Sequence, residues 1–280
     1  MARQLAVLGK PIDHSKSPAI HSAAYRVLGL DWEYGRQEIG KGGLRPFLDG
    51  LGDEWLGLSL TMPLKDEAAR AAEELDEPAR LTGAVNTLVR TPTGWAGFNT
   101  DVYGIVQALR AAGVESADRV LVLGSGATAK SAITAVRQLN AGARIAIWAR
   151  NADSRTQLID YAKSLGLRAK SVSKPNAWMR SAGLTISTLP AHAMDELALK
   201  LQLKRFAPTG ALLDVAYQPW PSEISKVWSR NGRAVIAGIE MLLWQAIAQI
   251  RIFTTGSPEG QLNQEQTVLE AMRHASMWQN

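Results

Sequence analysis

The fold class of this chain is indicated by 120-VLVLGSGATAKSAITAVRQL-139, in which a strand pattern turns into a helix pattern. Val120–Leu123 is a short apolar run of the kind found in buried strands. It ends in the turn 124-GSG-126, and apolar residues then recur at helical spacing from Ala127 to Asn140, before a second strand pattern at Arg144–Trp148. This order is typical of a dinucleotide-binding unit, because backbone N–H groups at a helix N-terminus favour the negative pyrophosphate.

The glycine-rich turn leaves one alternative open. It is shorter than the full G-x-G-x-x-G pattern, since Ala129 stands where the third glycine would be. A tight turn that needs glycine only for its backbone angles would show the same residues. On the dinucleotide interpretation, the cofactor-binding residues in this turn are Gly124, Ser125, Gly126 and Ala127.

The residues after the second strand pattern favour NADP over NAD. An NAD site needs an acidic residue at this point, to hold the ribose 2′-hydroxyl. Here the chain continues with Ala149, Arg150 and Asn151, and an arginine can pair with a 2′-phosphate through its fork of N–H donors. Two alternatives stay open: a bent loop that brings Asp153 to the ribose, and a role for Arg150 as a solvated surface charge.

Short strand and helix patterns also alternate in the N-terminal part of the chain. Leu5–Leu8 is a strand pattern, and apolar residues follow at helical spacing over 20–27. Such alternation predicts an α/β fold, with a mixed or parallel sheet covered by helices. A hydrophilic segment at 110–119 precedes the strand pattern at 120, so we place a domain boundary near Gly104.

Composition excludes several classes of function. The 31 basic and 26 acidic residues give a net charge of +5 without any block of like charge, so we expect neither a nucleic-acid partner nor a membrane surface. A small anionic substrate or a phosphorylated cofactor fits this mild excess. Because the chain has no cysteine and only four scattered histidines, we expect no thiolate chemistry and no metal. Since no apolar stretch of membrane length and no signal peptide are visible, we expect a cytoplasmic enzyme.

A second possible anion site precedes the first helix pattern, in 14-HSKSPAIHS-22. Ser17 is expected to cap this helix and Pro18 to take its first position. The hydroxyls of Ser15 and Ser17 would then flank free backbone N–H groups, where a carboxylate would bind. The alternative is that Ser17 only caps the helix.

Two charged residues are candidates for proton transfer. Lys65 lies at the start of a helix expected over 66–75. The positive end of the helix dipole disfavours the charged form of a lysine at this place, which favours proton transfer from it. The alternative is a surface lysine that is neutralised by the acidic residues after it. Asp101, in 97-GFNTDVYG-104, could be no more than a helix cap.

Seven segments, in order and over nearly the whole chain, closely resemble the shikimate dehydrogenase family. They are 9-GKPIDHSKSPAIHS-22, 57-GLSLTMPLK-65, 83-GAVNTLV-89, 97-GFNTDVYG-104, 124-GSGATA-129, 214-DVAYQPWP-221 and 238-GIEMLLWQA-246. The resemblance implies two domains with a cleft between them: a mixed-sheet substrate domain over 1–103 and 239–280, and a Rossmann-type NADP domain over 104–238.

The resemblance also implies roles for individual residues. The lysine of T-x-P-x-K and the aspartate of N-T-D form the family's catalytic pair, which matches Lys65 and Asp101. The family's Ser-x-Ser pair, here Ser15 and Ser17, binds the shikimate carboxylate. The other expected substrate-binding residues are Ser59, Thr61, Asn86, Tyr217 and Gln245, and Arg150 and Gly238 join the glycine turn as cofactor-binding residues.

Three positions depart from the family's pattern. Ser59 stands where the family has asparagine, and serine reaches less far toward a substrate hydroxyl. Ala127 stands where the family's own form of the phosphate turn commonly has a glycine, a different position from Ala129 in the general G-x-G-x-x-G pattern. Of the family's N-R-T clamp for the 2′-phosphate, only Arg150 is matched.

The activity that the resemblance implies is reversible reduction of 3-dehydroshikimate to shikimate by NADPH, by a monomer or homodimer without a metal. One alternative is an NAD-dependent quinate/shikimate dehydrogenase, which an acidic residue after 144-RIAIW-148 would have favoured. The other is a non-catalytic NADP-sensing protein, which would be expected to have lost Lys65 or Asp101.

Overall fold

The computed structural model describes residues 3–277, and within them the chain forms twelve strands and twelve helices. The strands are β1 (Arg3–Gly9), β2 (Trp32–Glu38), β3 (Trp55–Leu60), β4 (Glu74–Leu75), β5 (Thr87–Thr91), β6 (Gly94–Phe98), β7 (Arg119–Leu123), β8 (Arg144–Trp148), β9 (Arg168–Ser171), β10 (Leu184–Ser187), β11 (Ala211–Asp214) and β12 (Val235–Ala237). The helices are α1 (Ser17–Leu28), α2 (Leu44–Asp49), α3 (Lys65–Ala71), α4 (Glu77–Thr82), α5 (Thr100–Ala111), α6 (Ala127–Leu139), α7 (Ala152–Ser164), α8 (Asn176–Met179), α9 (Asp195–Leu203), α10 (Glu223–Ser229), α11 (Gly238–Thr255) and α12 (Glu265–Met277).

The chain divides into two compact units. The first contains the residues up to Gly104 and those from Leu243 onward, and the second contains Ile105–Leu242. Both divisions fall inside helices, the first in α5 and the second in α11. The C-terminal part of the chain therefore belongs to the same unit as the N-terminal part.

The first unit is built on a mixed six-stranded sheet, in the order β2-β1-β3-β5-β6-β4. β1 runs parallel to β2 and β3, whereas β5 runs antiparallel to β3 and β6. Leucines from several of these strands and helices fill the core on one face, among them Leu8, Leu58, Leu64 and Leu88. The predicted mixed sheet is confirmed.

The second unit is a parallel six-stranded sheet in the order β12-β11-β10-β7-β8-β9. Counted from β7, this is the doubly wound order of dinucleotide-binding domains, so the predicted Rossmann-type fold is confirmed. Helices α8, α9 and α10 cover one face, where the fully buried Trp228 donates its indole N–H to the Gly210 carbonyl (3.0 Å).

The strand order of the second unit reverses between β7 and β10, and ligands of such sheets bind beyond the carboxyl ends of the strands at this point. Gly124 directly follows β7 at this edge of the sheet and has a φ of +109°. A Cβ on Gly124 would lie 2.4 Å from Thr188 Oγ1, so glycine is required both for the backbone angle and for the close approach.

One predicted element ends earlier than expected. The helix predicted over 66–75 stops at Ala71, since Ala72 is already extended (φ −75°, ψ 139°). Glu74 and Leu75 then form β4, which pairs in parallel with β6. The acidic, alanine-rich sequence favours helix locally, but pairing at the edge of the sheet takes its last residues.

The long helix α11 packs directly on β3. A Cβ added at Gly57 would lie 2.4 Å from Phe253 Cε1 and 3.0 Å from the Leu88 carbonyl oxygen, so only glycine allows this contact. Although α11 has 18 residues, no helix in the described part of the chain is long and apolar enough to span a membrane.

The first prediction concerns this contact. Gly57→Ala is expected to lower the free energy of unfolding by about 1–3 kcal/mol, because the added methyl overpacks Phe253. Gly35→Ala, in strand β2, is the matched control: a Cβ there meets no atom within 4 Å, so its stability should stay near that of the wild type. Urea unfolding measures both, and equal stability of the two variants would contradict the packing argument.

Candidate active site

Lys65 and Asp101 form an ion pair at the edge of the first unit's core. Lys65 is the first residue of α3 and Asp101 the second of α5, and Lys65 Nζ donates to Asp101 Oδ2. Their side chains are only 14% and 7% exposed, so water screens the pair far less than a surface ion pair. The backbone places each partner: Val85 N donates to the Lys65 carbonyl (3.0 Å), and Asp101 N donates to Asn99 Oδ1 (3.1 Å).

The buried amide of Asn86 holds the other side of the carboxylate. Its Nδ2 donates to Asp101 Oδ1 (2.9 Å) and to Thr100 Oγ1 (2.9 Å), with Gln245 Oε1 further away at 3.3 Å. Its Oδ1 accepts from Thr100 N (2.9 Å) and from Thr87 Oγ1 (2.9 Å). Both carboxylate oxygens of Asp101 are therefore occupied, and the aspartate has one orientation toward the lysine.

The structure brings together four predicted residues, each from a different segment of the chain: Lys65, Asn86, Asp101 and Gln245. Thr100 and Asn99 belong to this cluster as well, although neither was predicted. Their signal was present, because they precede Asp101 in the same N-T-D motif.

Ser59 lies behind this cluster in a buried polar network. Its hydroxyl accepts from the Tyr34 hydroxyl (2.6 Å) and donates to Gln249 Oε1 (3.0 Å). Gln249 Nε2 donates to the Asn86 carbonyl (3.1 Å) and to Thr87 Oγ1 (2.9 Å), so the network is joined to the residues that hold Asp101. The only hydroxyl hydrogen of Ser59 points to Gln249, and its contact with substrate stays a prediction.

His21 completes the network and is uncharged. Its ring is fully buried, stacks on Tyr34 with centroids 4.0 Å apart, and bonds to Gln249 through Nε2 (3.2 Å) and to Tyr25 through Nδ1 (3.1 Å). Burial lowers the pKa of His21 to about 3, opposed in part by the hydrogen bond to Gln249. Sequence patterns missed His21, Tyr34 and Gln249, because the partners that show their role lie in distant segments of the chain.

The start of α1 differs from the prediction. Ser17 was expected at the N-cap, but Lys16 takes that position, so Ser17 is the first helical residue and Pro18 the second. The Ser17 hydroxyl interacts with Tyr34, while Ser15 Oγ accepts from Ser17 N (3.3 Å) and Lys16 Nζ donates to the Ser276 carbonyl (2.5 Å). These tertiary contacts move the helix start one residue upstream of the position that Ser-Pro favours locally.

Two further predicted substrate residues lie elsewhere. Thr61 follows β3, and its methyl packs against Gly9 so closely that a Cβ there would be 2.4 Å away. Tyr217 belongs to the second unit, in the segment after β11, and burial raises its pKa. Their contacts with substrate stay predictions.

The glycine turn of the second unit fits a pyrophosphate. Gly126 is the N-cap of α6 and no side chain caps this helix end, so first-turn N–H groups are left for a ligand. The first turn carries no acidic residue, and a Cβ at Gly126 would meet no atom within 4 Å. Gly238 acts through packing: a Cβ there would lie 2.1 Å from the Val215 carbonyl oxygen.

The segment after β8 presents Arg150 to solvent at the start of α7. Arg150 has no carboxylate within 4 Å in residues 3–277, so its charge is available to a phosphate. Asn151 caps α7 by accepting from Ser154 N (2.9 Å), and Arg155 Nη1 donates to the Ala149 carbonyl (2.7 Å). Ser154 and Arg155 were not predicted, and they fix the backbone that carries Arg150. The described residues contain no group of three metal-ligating side chains.

Known proteins match this chain in sequence and in structure. Residues 7–88 match the family model for the shikimate dehydrogenase substrate binding domain. Shikimate dehydrogenase (NADP(+)) of Thermus thermophilus is 32% identical over 256 residues, covering 91% of this chain and 94% of the relative.

Two solved structures match the whole chain. The crystal structure of Mycobacterium tuberculosis shikimate dehydrogenase has a TM-score of 0.83 and 39% identity, covering 98% of each chain. The Thermus thermophilus enzyme, solved in complex with NADP(H) and shikimate, has a TM-score of 0.81 and 30% identity, covering 98% of this chain and 99% of its own.

The buried histidine gives the second prediction, which concerns stability at low pH. The pKa of His21 is about 3 in the folded state and about 6.5 in the unfolded state, so between these values only the unfolded chain binds the proton. Stability is therefore lost as the pH falls, by about 2–3 kcal/mol between pH 6.5 and 4.5 from this group alone.

Urea unfolding of the wild type and of His21→Gln at both pH values measures this contribution. Between pH 6.5 and 4.5, the free energy of unfolding of the wild type should fall by about 2–3 kcal/mol more than that of the variant. Other groups that titrate in this range, such as Asp76 with its pKa raised to about 6 by burial, affect both proteins alike. His14→Gln, at an exposed histidine, should keep the pH dependence of the wild type. Parallel losses in wild type and His21→Gln would show that His21 does not stay neutral.

Proposed function

The chain belongs to the shikimate dehydrogenase family, and from this membership we propose that it reduces the ketone of 3-dehydroshikimate to shikimate with NADPH, reversibly. The observation that carries the proposal is the partly buried Lys65–Asp101 pair, oriented by Asn86. A dehydrogenase needs one group that passes a proton to or from the oxygen of the reacting carbon, and a lysine held by a carboxylate can do so.

The proton is assigned to Lys65. NADPH, when bound, supplies the hydride for the carbonyl carbon, and the carbonyl oxygen becomes negative as the bond forms. Lys65 Nζ donates to that oxygen, first as a hydrogen bond and then as a proton; in the reverse direction it accepts the proton of the shikimate hydroxyl. Only one of its N–H groups is used by Asp101, so donors remain for the substrate.

Asp101 positions the lysine. It accepts from Lys65 on one oxygen and from Asn86 on the other, so the ammonium is held in place before substrate arrives. Such preorganisation lowers the barrier, because the catalytic group needs no rearrangement during the reaction. We assign the amide of Gln245 to a substrate hydroxyl, since it lies within this cluster. Asn86 stays in the proposed set of substrate residues, although both hydrogens of its Nδ2 are already donated to Asp101 and Thr100.

The substrate carboxylate is assigned to Ser15 and Ser17. Ser15 Oγ accepts from Ser17 N, which leaves its own hydrogen free to donate to a carboxylate oxygen. Binding of the carboxylate by these two serines does not require Ser17 to cap α1, because Lys16 is at the N-cap position. Thr61, Ser59 and Tyr217 complete the proposed set of substrate residues.

NADP binding is assigned to the second unit. The α6 N-terminus, with Gly124, Ser125, Gly126 and Ala127, fits the pyrophosphate, and Arg150 fits the 2′-phosphate. The predicted domain limits, 1–103 with 239–280 and 104–238, remain part of this proposal.

We further propose that the enzyme works in the cytoplasm on dissolved small molecules, as a monomer or homodimer. Its 31 basic and 26 acidic residues form no block of like charge along the sequence, which supports an enzyme of small molecules rather than one bound to nucleic acid or a membrane surface. Light scattering of the purified protein measures the assembly state.

One assay tests the proposed activity. Shikimate and quinate are each offered with NADP and with NAD, and reduced cofactor is followed by its absorbance. Shikimate with NADP should give the highest kcat/KM. Faster oxidation of quinate with NAD would favour the alternative quinate/shikimate dehydrogenase, and no turnover with any pair would contradict a dehydrogenase.

The third prediction tests the role of Lys65. Lys65→Ala should fold and bind shikimate while kcat falls by about 100-fold or more, as expected for loss of a positioned acid–base group. Lys41→Ala, at an exposed lysine in the same unit, is the control and should keep the kcat of the wild type. A kcat near that of the wild type in Lys65→Ala would remove Lys65 from the mechanism.

The fourth prediction tests Arg150. Arg150→Ala should weaken NADP binding by about 10–150-fold, the worth of a charged hydrogen bond, while NAD binding hardly changes. Arg155→Ala is the matched control, because Arg155 bonds to the backbone of the same loop and should affect both cofactors alike. Titration of the wild type and both variants, followed by intrinsic fluorescence, gives the six dissociation constants. An equal loss for both cofactors in Arg150→Ala would show a structural role only.

A further inference from the structure

Three arginines lie side by side at the amino end of the second unit's sheet. Arg119, Arg144 and Arg168 are the first residues of β7, β8 and β9, and they are directly paired across the three strands. Paired residues point to the same face of a sheet, about 4.8 Å apart from strand to strand. Like charges in this arrangement repel each other, so the row costs stability unless an anion offsets it.

These arginines line a cavity of about 500 Å³, which we call the basic cavity. Lys163 and Lys170 line it too, and with Trp178 they complete its charged and aromatic lining. A volume of this size is typical of sites for small-molecule ligands. Five cations thus line one open space whose volume suits a small ligand.

No carboxylate in the described chain neutralises these cations. None of the five has an acidic partner within 4 Å in residues 3–277, and no acidic residue lines the cavity. The acid that precedes the row, Asp118, instead accepts from Asn140 Nδ2 (2.9 Å). The positive charge of the basic cavity is therefore left for a ligand.

Trp178 holds two of the cations in place. The Arg119 guanidinium lies 4.4 Å from the centre of the indole ring and the Lys170 ammonium 5.4 Å from it. Arg119 Nη2 also donates to Ser181 Oγ (3.0 Å), whereas its Nε is buried without a partner. An unsatisfied buried donor is costly, which again indicates that the free protein lacks an acceptor at this place.

Helix ends explain only part of this charge. Lys163 lies in the last turn of α7, where the helix dipole favours a cation. Arg168 Nη2 donates to the Gly142 carbonyl (3.3 Å), which lies in the turn between α6 and β8. Neither reason applies to Arg144 or Lys170, and Arg119 makes no bond to a helix end. Contacts within the protein therefore account for only some of the five positive charges at the basic cavity.

The basic cavity is separate from the proposed dinucleotide site. Arg119 begins β7, while Gly124 follows its last residue, so the two sites lie at opposite ends of this strand, about 15 Å apart. The cavity is thus not an extension of the phosphate turn at α6.

We propose that the basic cavity binds a small anion that carries two or more phosphate groups. Arginine forks match phosphate oxygens, and three of them on neighbouring strands can contact more than one phosphate group. The indole ring is already occupied by two cations, so charge rather than ring stacking provides the recognition. This site does not depend on the proposed dehydrogenase activity.

Calorimetric titration with sodium tripolyphosphate at low ionic strength, with and without saturating NADP, tests the proposal. We expect saturable binding in both conditions, weakened by added salt as for any multivalent charge interaction. Absence of saturable binding would overturn the proposal. So would binding that NADP abolishes, because the probe would then occupy the dinucleotide site.

Variants locate the bound probe. The double variant Arg144→Gln with Arg168→Gln should raise the Kd for tripolyphosphate by about tenfold or more, the effect of losing charged hydrogen bonds, and leave the Kd for NADP unchanged. Lys174→Gln with Lys204→Gln removes the same charge from exposed positions outside the lining and is the control. Equal weakening by both double variants would reduce the effect to net charge and overturn the site. If the first double variant does not fold, Lys170→Gln is used with the same criterion.

Discussion

The buried amide of Asn86 is the contact on which the first unit's site depends. It lies just before β5 and reaches the start of α5 and the middle of α11, three segments that are far apart in the sequence. A buried amide must satisfy both of its ends, and here each bond that it makes also fixes a neighbouring polar group. The orientation of Asp101, and through it that of Lys65, follows from this requirement.

A second layer of polar groups supports the first. Gln249 lies one helical turn after Gln245, and it connects the backbone of Asn86 with Ser59 and the neutral His21. Satisfied networks of this kind are rigid, because moving one member leaves others without partners in a medium where that is costly. The serine at position 59 is part of this layer, which gives it a structural role in addition to the expected contact with substrate.

Much of the fold could be predicted from the sequence, since strands β7 and β8 and the start of α6 follow directly from apolar runs bounded by glycine or polar residues. The edge strand β4 could not, because its two residues have the composition of a helix and are extended only through pairing with β6. In the site, Lys65, Asn86, Asp101 and Gln245 were predicted from short motifs. Gln249 and His21 were not predicted, because nothing in the local sequence shows that a polar residue is buried with distant partners. The N-cap assigned to Ser17 was wrong because contacts with distant residues, which the local sequence does not show, fix the start of α1 at Lys16.

The central claim is that Lys65 and Asp101 act as one unit, with the aspartate working through the lysine. A double-mutant cycle in kcat for shikimate oxidation, using Lys65→Met, Asp101→Asn and the double variant, tests it most directly. If the claim holds, the double variant is about as slow as Lys65→Met alone, because removing the positioning group has no further effect once the lysine is gone. Losses that multiply in the double variant would show two independent contributions and contradict the claim.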